Sequence, residues 1–334
     1  MNAPEEYHYS VLLEPVMEFA SVLKDREGPV IVDGTLGAAG HTLEFQKRFP
    51  GAVLYGFDRD PEMVGIAKKR ILSENLSFQE VSAPSKKDSP GIYIINRSFG
   101  FIDSLFSEND MKADFVILDL GVSIHHFRDI HRGFSYNDET LDMRLSPDIQ
   151  KSAVDILQEK SEQELIEIFQ ELGEEKYSGR IARKIKENLP IHSARHLSRI
   201  VMDAVRTGQT SFRQNSIHPA TRIFQALRIY VNEELDVLQN TLNTLPGILN
   251  PAGRLAVISF HSLEDRIVKN AFKKIGKKPK KEISEKRQKY VKNDSSADFL
   301  ILTPAPAVPD REEIEKNPPS RSAKLRVIEK IHRK

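Results

Sequence analysis

The chain has 334 residues, 39% of them hydrophobic and 29% charged, with a formal net charge of +1. This composition fits a globular protein with an ordinary core, and it excludes a uniformly basic body, so any nucleic-acid surface must be local. The absence of cysteine excludes disulfides, thiolate metal sites and thiol nucleophiles.

The N-terminal stretch MNAPEEYHYSVLLEPVMEF has no basic leader region, and Glu14 and Glu18 interrupt its apolar run. It does not read as a signal peptide, and no run of about 18 apolar residues suggests a membrane span. A cytoplasmic protein is the expectation. Short apolar strands then alternate with helices: strand 29–35, helix 41–49, strand 52–58, helix 61–72 behind Pro61, a third strand at 92–96 and a buried strand at 114–119. That alternation predicts a parallel sheet covered on both faces.

From about 140 to 206 no strand signal appears. Ser161 and Glu164 form a capping box, and Leu165, Ile168, Phe169 and Leu172 follow at helical spacing until Gly173. Tyr177, Ile181, Ile185 and Leu189 form a second stripe, and Leu197, Ile200, Val201, Ala204 and Val205 a third. These stripes read as core. Residues 219–245 read as one long helix with Pro219 in its first turn and Phe224, Leu227, Val231, Leu235, Leu238, Leu242 and Leu245 on one face. LNPAGRLAVISF then predicts a turn and a strand, and ADFLILTP and AKLRVIEKI an antiparallel pair at the sheet edge. The simplest reading is one sheet domain interrupted by a helical insertion.

The glycine turn in VIVDGTLGAAGHT is neither common phosphate motif. A P-loop needs four residues between its first glycine and Gly-Lys, whereas five separate Gly34 from Gly40 and His41 stands in the lysine's place. A dinucleotide fingerprint needs a first glycine where Thr35 stands, although Gly37 and Gly40 match its second half. Asp33, Asp58 and Asp119 each close a predicted strand. Ligands of open α/β sheets bind at those carboxyl ends. Three carboxylates repel a pyrophosphate and suit a ligand with a ribose, an amino group and a sulfonium, S-adenosylmethionine. The alternative is that one or more of them cap the following helices. A dehydrogenase on a related sheet and a noncatalytic RNA-binding protein are the competing functions.

In order along the chain stand DGTLGAAGHT, GFDRDP, DLGVS, RGFSYNDETLDMR, HPATRIFQALRIYVNEEL, FHSLEDR and RSAKLR. Together they closely resemble the bacterial ribosomal RNA small subunit methyltransferase H family, from about His8 to Val327. The resemblance implies a class I methyltransferase fold, an α/β Rossmann-like sheet with an inserted, mostly helical substrate-recognition domain. The expected boundaries are 1–135 and 217–334 for the sheet domain and 136–216 for the insertion. It implies transfer of a methyl group from S-adenosylmethionine to the exocyclic N4 of a cytosine in the decoding region of 16S rRNA, within the small ribosomal subunit. A homodimer stays open.

The same resemblance implies the site residues. Gly37 lies in the cofactor turn, and Ala39, Gly40 and His41 match a glycine-glycine-histidine sequence whose first glycine is alanine here. A methyl group costs little there if the backbone angles suit a residue with a Cβ. Asp58 matches the ribose-binding acid, Phe99 the adenine contact and Asp119 the acid of DLGVS. His126 stands where a cofactor-contacting glutamine is usual. Neighbouring His125 and His126 lack a third ligand at metal-like spacing, so no metal is expected. Asp119 either orients the cytosine amine or binds cofactor only, with a backbone carbonyl taking the proton. Phe127, Phe134 and Tyr136 are core residues or base-stacking partners. Arg222, Arg228, Arg321, Lys324 and Arg326 lie in family motifs, and His261 follows a strand end. Arg228 has the alternative of pairing with a glutamate on its own helix, and Ser262 with Asp265 that of a helix cap. Residues 273–292 carry ten Lys/Arg against two Glu, which makes either a solvated loop or an RNA contact.

Overall fold

The structure is a computed structural model that describes residues 10–128, 131–206, 218–278 and 298–332. The expected basic segment lies outside the described residues from 279 to 297. The chain divides into two units, one made of the residues up to Gly121 together with those from Val237 on, the other Val122–Asp236.

Among the described residues the first unit is built on nine strands: β1 Val30–Asp33, β2 Val53–Phe57, β3 Phe78–Glu80, β4 Gly91–Ile95, β5 Ala113–Asp119, β6 Leu249–Ser259, β7 Gly276–Lys277, β8 Phe299–Ile301 and β9 Lys324–Lys330. Their order is β3-β4-β2-β1-β5-β6-β9-β8-β7. The strands from β3 to β6 in that order are parallel, and β9 runs antiparallel to both its neighbours. Apolar side chains alternate across the sheet. Ile31, Leu54, Phe115 and Ile117 enter one core, and Val32, Tyr55, Phe57, Val116 and Leu118 the other. Both faces are buried, as the unbroken apolar strands require. This is the Rossmann-like sheet expected from the sequence. The expected tail pair is β8 with β9, and the short β7 extends the edge beyond it. In β6 the turn read at NPAG is present: Ala252 has φ 56, and the pairing with β5 shifts register there.

Helices Ala153–Glu159, Glu162–Glu171, Ser178–Glu187, Ala194–Arg206 and Thr221–Asn232 make the second unit. The Ser161–Glu164 capping box is formed. Leu165, Phe169, Ile181, Ile185, Leu197, Val201 and Ala204 are buried in one core, so the three stripes are core positions. This unit starts at Val122 rather than 136 and runs to Asp236 rather than 216. The reason is packing: Phe134, Leu141 and Met143 on one side and Ile223, Phe224 and Leu227 on the other belong to the helical core.

The expected single helix 219–245 is two helices. Glu233 adopts φ 51 and separates Thr221–Asn232 from Glu234–Thr244. A left-handed residue breaks the helical ladder. Buried Asn232 stabilises the break, donating to the carbonyls of Arg228 (2.8 Å) and Met143 (2.7 Å) and accepting from the Leu145 N–H (2.9 Å). Among the described residues no helix is long and apolar enough to cross a membrane.

Candidate active site

The glycine turn leaves the carboxyl end of β1 and enters the helix Gly40–Arg48. Gly34 N–H donates to the Ile117 carbonyl (2.9 Å) and Leu36 N–H to the Phe57 carbonyl (2.7 Å), so the turn bridges the ends of β5 and β2. A Cβ on Gly34 would stand 2.4 Å from Leu118 Cδ2 and 3.3 Å from Phe99 Cβ. One on Gly40 would stand 1.9 Å from Ser10 Oγ. A side chain at either position would force Leu118 or Ser10 to shift. Ala39 has φ 61, a left-handed conformation that costs a residue with a Cβ about 1–2 kcal/mol. The backbone angles therefore do not suit alanine, and the turn holds this strain.

The three strand-end aspartates take different tasks. Asp33 is buried and uses both oxygens inside the turn, accepting from the Thr42 hydroxyl (2.7 Å) and the Thr35 N–H (3.2 Å). Burial raises its pKa to about 6, against the opposing effect of those hydrogen bonds. Asp58 accepts from the Gly37 N–H (2.9 Å) and the Asp60 N–H (2.9 Å). It braces the glycine turn against β2, a role that sequence reasoning missed. Asp60, not Asp58, caps the following helix.

Asp119 is the exception. Its Oδ1 is buried and has no hydrogen-bond partner among the described residues. Burial holds its carboxyl well above the usual carboxylate range, and the carboxylates of Asp33, Glu264 and Glu313 add to the effect. His41 Nδ1 lies 3.8 Å from Asp119 Oδ2. His41 Nε2 is 3.2 Å from the Val11 carbonyl, which only accepts, so Nε2 carries the proton and Nδ1 is bare. Burial lowers the His41 pKa to about 4, so the ring is neutral near pH 7. The centre is therefore a cluster of carboxyl groups with a neutral imidazole, which fits a cationic ligand.

Thr42, Glu264 and Glu313 escaped sequence reasoning. Glu264 accepts from the Phe260 N–H (2.8 Å), and Glu313 accepts from the Leu12 N–H (2.7 Å). Glu264 lies in FHSLEDR, which could have drawn attention to it; Glu313 and Leu12 meet across 301 positions and leave no local signal.

Phe99 follows β4, half-buried against the sheet core beside Gly34. His261 is the N-cap of the helix Ser262–Ile275, paired with Glu264, so the cap is not Ser262 with Asp265. Asp265 instead holds Arg326 (2.7 and 3.2 Å) and Lys324 (3.4 Å). Lys324 is paired with Ser259 at the carboxyl end of β6, the same end of the sheet as the glycine turn. Arg321 is exposed.

The remaining candidates belong to the second unit. Buried His126 packs its ring 5.3 Å from that of Phe134. Phe134 is core, Phe127 is exposed, and Tyr136 stacks on His218 with ring centroids 4.5 Å apart. Arg228 makes a two-pronged pair with Glu234 (3.0 and 2.9 Å), across the helix break. Arg222 reaches the Glu174 carbonyl (3.2 Å).

Residues 5–331 match the model of the MraW methylase family. The chain belongs to that family. Membership makes it a methylase that uses S-adenosylmethionine, and the dehydrogenase reading falls. Among its relatives, a protein of Treponema denticola is 38% identical, over 97% of each chain. One of Acidobacterium capsulatum is 37% identical over 97% of this chain and 99% of that one. One of Clostridioides difficile is 38% identical over 98% of this chain and all of that one. All three are named ribosomal RNA small subunit methyltransferase H.

Proposed function

We propose that this chain methylates the exocyclic N4 of a cytosine in the decoding region of 16S rRNA, acting in the cytoplasm on the small ribosomal subunit. The names of its relatives support an rRNA substrate, and the motifs from DGTLGAAGHT to RSAKLR support the base and its position. The observation that carries the reading is the carboxyl oxygen of Asp119 at the tip of β5, buried and without a hydrogen-bond partner among the described residues. It stands among the Asp33, Glu264 and Glu313 carboxylates. Such a donor set fits S-adenosylmethionine, whose sulfonium supplies a methyl group already activated for transfer.

The amine of cytosine is a poor nucleophile because its lone pair is delocalised into the ring. The chain's task is then to hold the amine in line, where positioning contributes about 7–11 kcal/mol. Asp33 and Asp58 keep the glycine turn in shape for the cofactor. Asp119 accepts the amine N–H and takes the proton. The target base leaves its stack to reach it.

The test is methylation of purified small subunits and of naked 16S rRNA with labelled cofactor, followed by mapping of the labelled nucleotide. Label on a cytosine N4 in the decoding region is the expected result. Label on another base or another position overturns the assignment.

A further inference from the structure

Among the described residues no hydrogen bond fixes the Asp119 side chain. Its Oδ1 has no partner among the described residues, and His41 Nδ1 stands 3.8 Å from Oδ2, beyond hydrogen-bond distance. The position of the carboxyl group must therefore come from the backbone. On the β6 side the backbone is held in the ladder, with Leu120 N–H donating to the Ile258 carbonyl at 2.9 Å. On the β1 side the ladder has already ended, because its last pair is Asp33 with Ile117 and the chain then turns into the glycine loop.

Thr35 replaces the missing partner. Its hydroxyl oxygen accepts from the Asp119 N–H at 2.6 Å. Thr35 is itself anchored, its own N–H donating to Asp33 Oδ1 at 3.2 Å. The side chain thus acts as one more ladder carbonyl beyond the end of β1. A glycine at this position, as in a dinucleotide fingerprint, has no group to do so.

We propose that Thr35 is a positioning residue for methyl transfer, holding the tip of β5 so that the Asp119 carboxyl meets the amine. The assignment rests on the role given to Asp119 above. It needs no contact between Thr35 and either substrate.

The test compares Thr35→Val, which keeps the shape without the acceptor, with Thr35→Ser, which keeps the acceptor. Asp119→Asn and the double variant Thr35→Val/Asp119→Asn run beside them. Single-turnover methyl transfer at saturating cofactor, cofactor affinity and thermal unfolding are measured for each. Thr35→Val is expected to slow transfer about ten- to a hundred-fold. Cofactor affinity should change less than about threefold, and Thr35→Ser should restore the rate. Adding Thr35→Val to Asp119→Asn should cost little more. If Thr35→Val does not fold, Thr35→Ala takes its place with the same expected loss. A wild-type rate in the acceptor-free variant overturns the assignment, and so does equal slowing by serine and valine, which would mark a packing role. If Asp119→Asn itself transfers at the wild-type rate, the role of Asp119 has failed, and that result is separate from a Thr35 failure.

Discussion

Asp119 Oδ2 and His41 Nδ1 face each other at 3.8 Å, and neither is a counter-ion for the other. The imidazole is neutral and presents a bare nitrogen, while the carboxyl group is held toward its protonated form by burial and three neighbouring carboxylates. If Asp119 faces the sulfonium as proposed above, the cofactor's positive charge would reverse that preference. Binding of S-adenosylmethionine near neutral pH should then release a proton, and affinity should rise with pH through the range where the empty site ionises. Calorimetry in two buffers of different ionisation enthalpy measures this. A buffer-dependent enthalpy that shrinks in Asp119→Asn is expected, and identical enthalpies in both buffers count against it.

His41 and Asp33 fix a pH dependence of stability. His41 titrates near 4 in the folded chain, below its ordinary 6.5, so its contribution is present above 6.5 and is lost as pH falls toward 4. Asp33 is shifted the other way, to about 6 from 3.8, so its contribution is full below 3.8 and is lost as pH rises through 6. Between those values the two offset each other. Removing the imidazole with His41→Asn leaves the Asp33 gain uncompensated. The stability gap between wild type and variant should narrow by about 2 kcal/mol on acidification from about pH 7.5 to about pH 4.5. Chemical denaturation at both pH values reads it, and a constant gap contradicts the burial of a neutral His41.

Variants of Asp58 separate its hold on the glycine turn from its proposed ribose contact. Asp58→Ala removes the anchor of Gly37 N–H and, on the proposed reading, the ribose acceptor, and cofactor binding should weaken by about 1.5–3 kcal/mol. Asp58→Asn keeps an oxygen for Gly37 and should lose less. Titration calorimetry distinguishes them. Equal affinity of a folded Asp58→Ala and wild type would remove Asp58 from the site.

Lys273 and Lys274 are exposed at the end of the helix Ser262–Ile275, Lys277 in the strand beyond it and Lys278 just after that strand. Replacing all four by glutamine should weaken rRNA binding and flatten its salt dependence, by about 0.7–0.9 in slope for each phosphate left without its lysine. Cofactor affinity should not move. An unaltered salt slope would make these lysines a solvated surface.

The strands were legible because buried parallel strands are short apolar runs, and the acids at their ends stand out against them. Asp33, Asp58 and Asp119 do end β1, β2 and β5 or follow them directly. Their division of labour was hidden, since it depends on which oxygens the turn itself consumes. The break at Glu233 was hidden for a different reason. A single left-handed residue leaves apolar spacing intact, so Phe224 to Leu245 reads as one stripe although two helices carry it. The His261 cap was masked by the adjacent Ser262, a commoner capping residue. Contacts such as His41 with Val11 join segments far apart in sequence, where no local pattern reports them.

Whether the Asp119 carboxyl group acts in methyl transfer itself decides between the mechanism and simple cofactor binding. Single-turnover methylation by Asp119→Asn at saturating S-adenosylmethionine separates the two, because saturation isolates the chemical step from binding. Asparagine keeps the shape but loses the charge and presents a donor where an acceptor is needed. The expected rate is lower by about 10²–10⁴, with a much smaller change in cofactor affinity. A variant that reaches the wild-type rate once saturated contradicts the catalytic role, and Asp119 is then a cofactor ligand alone.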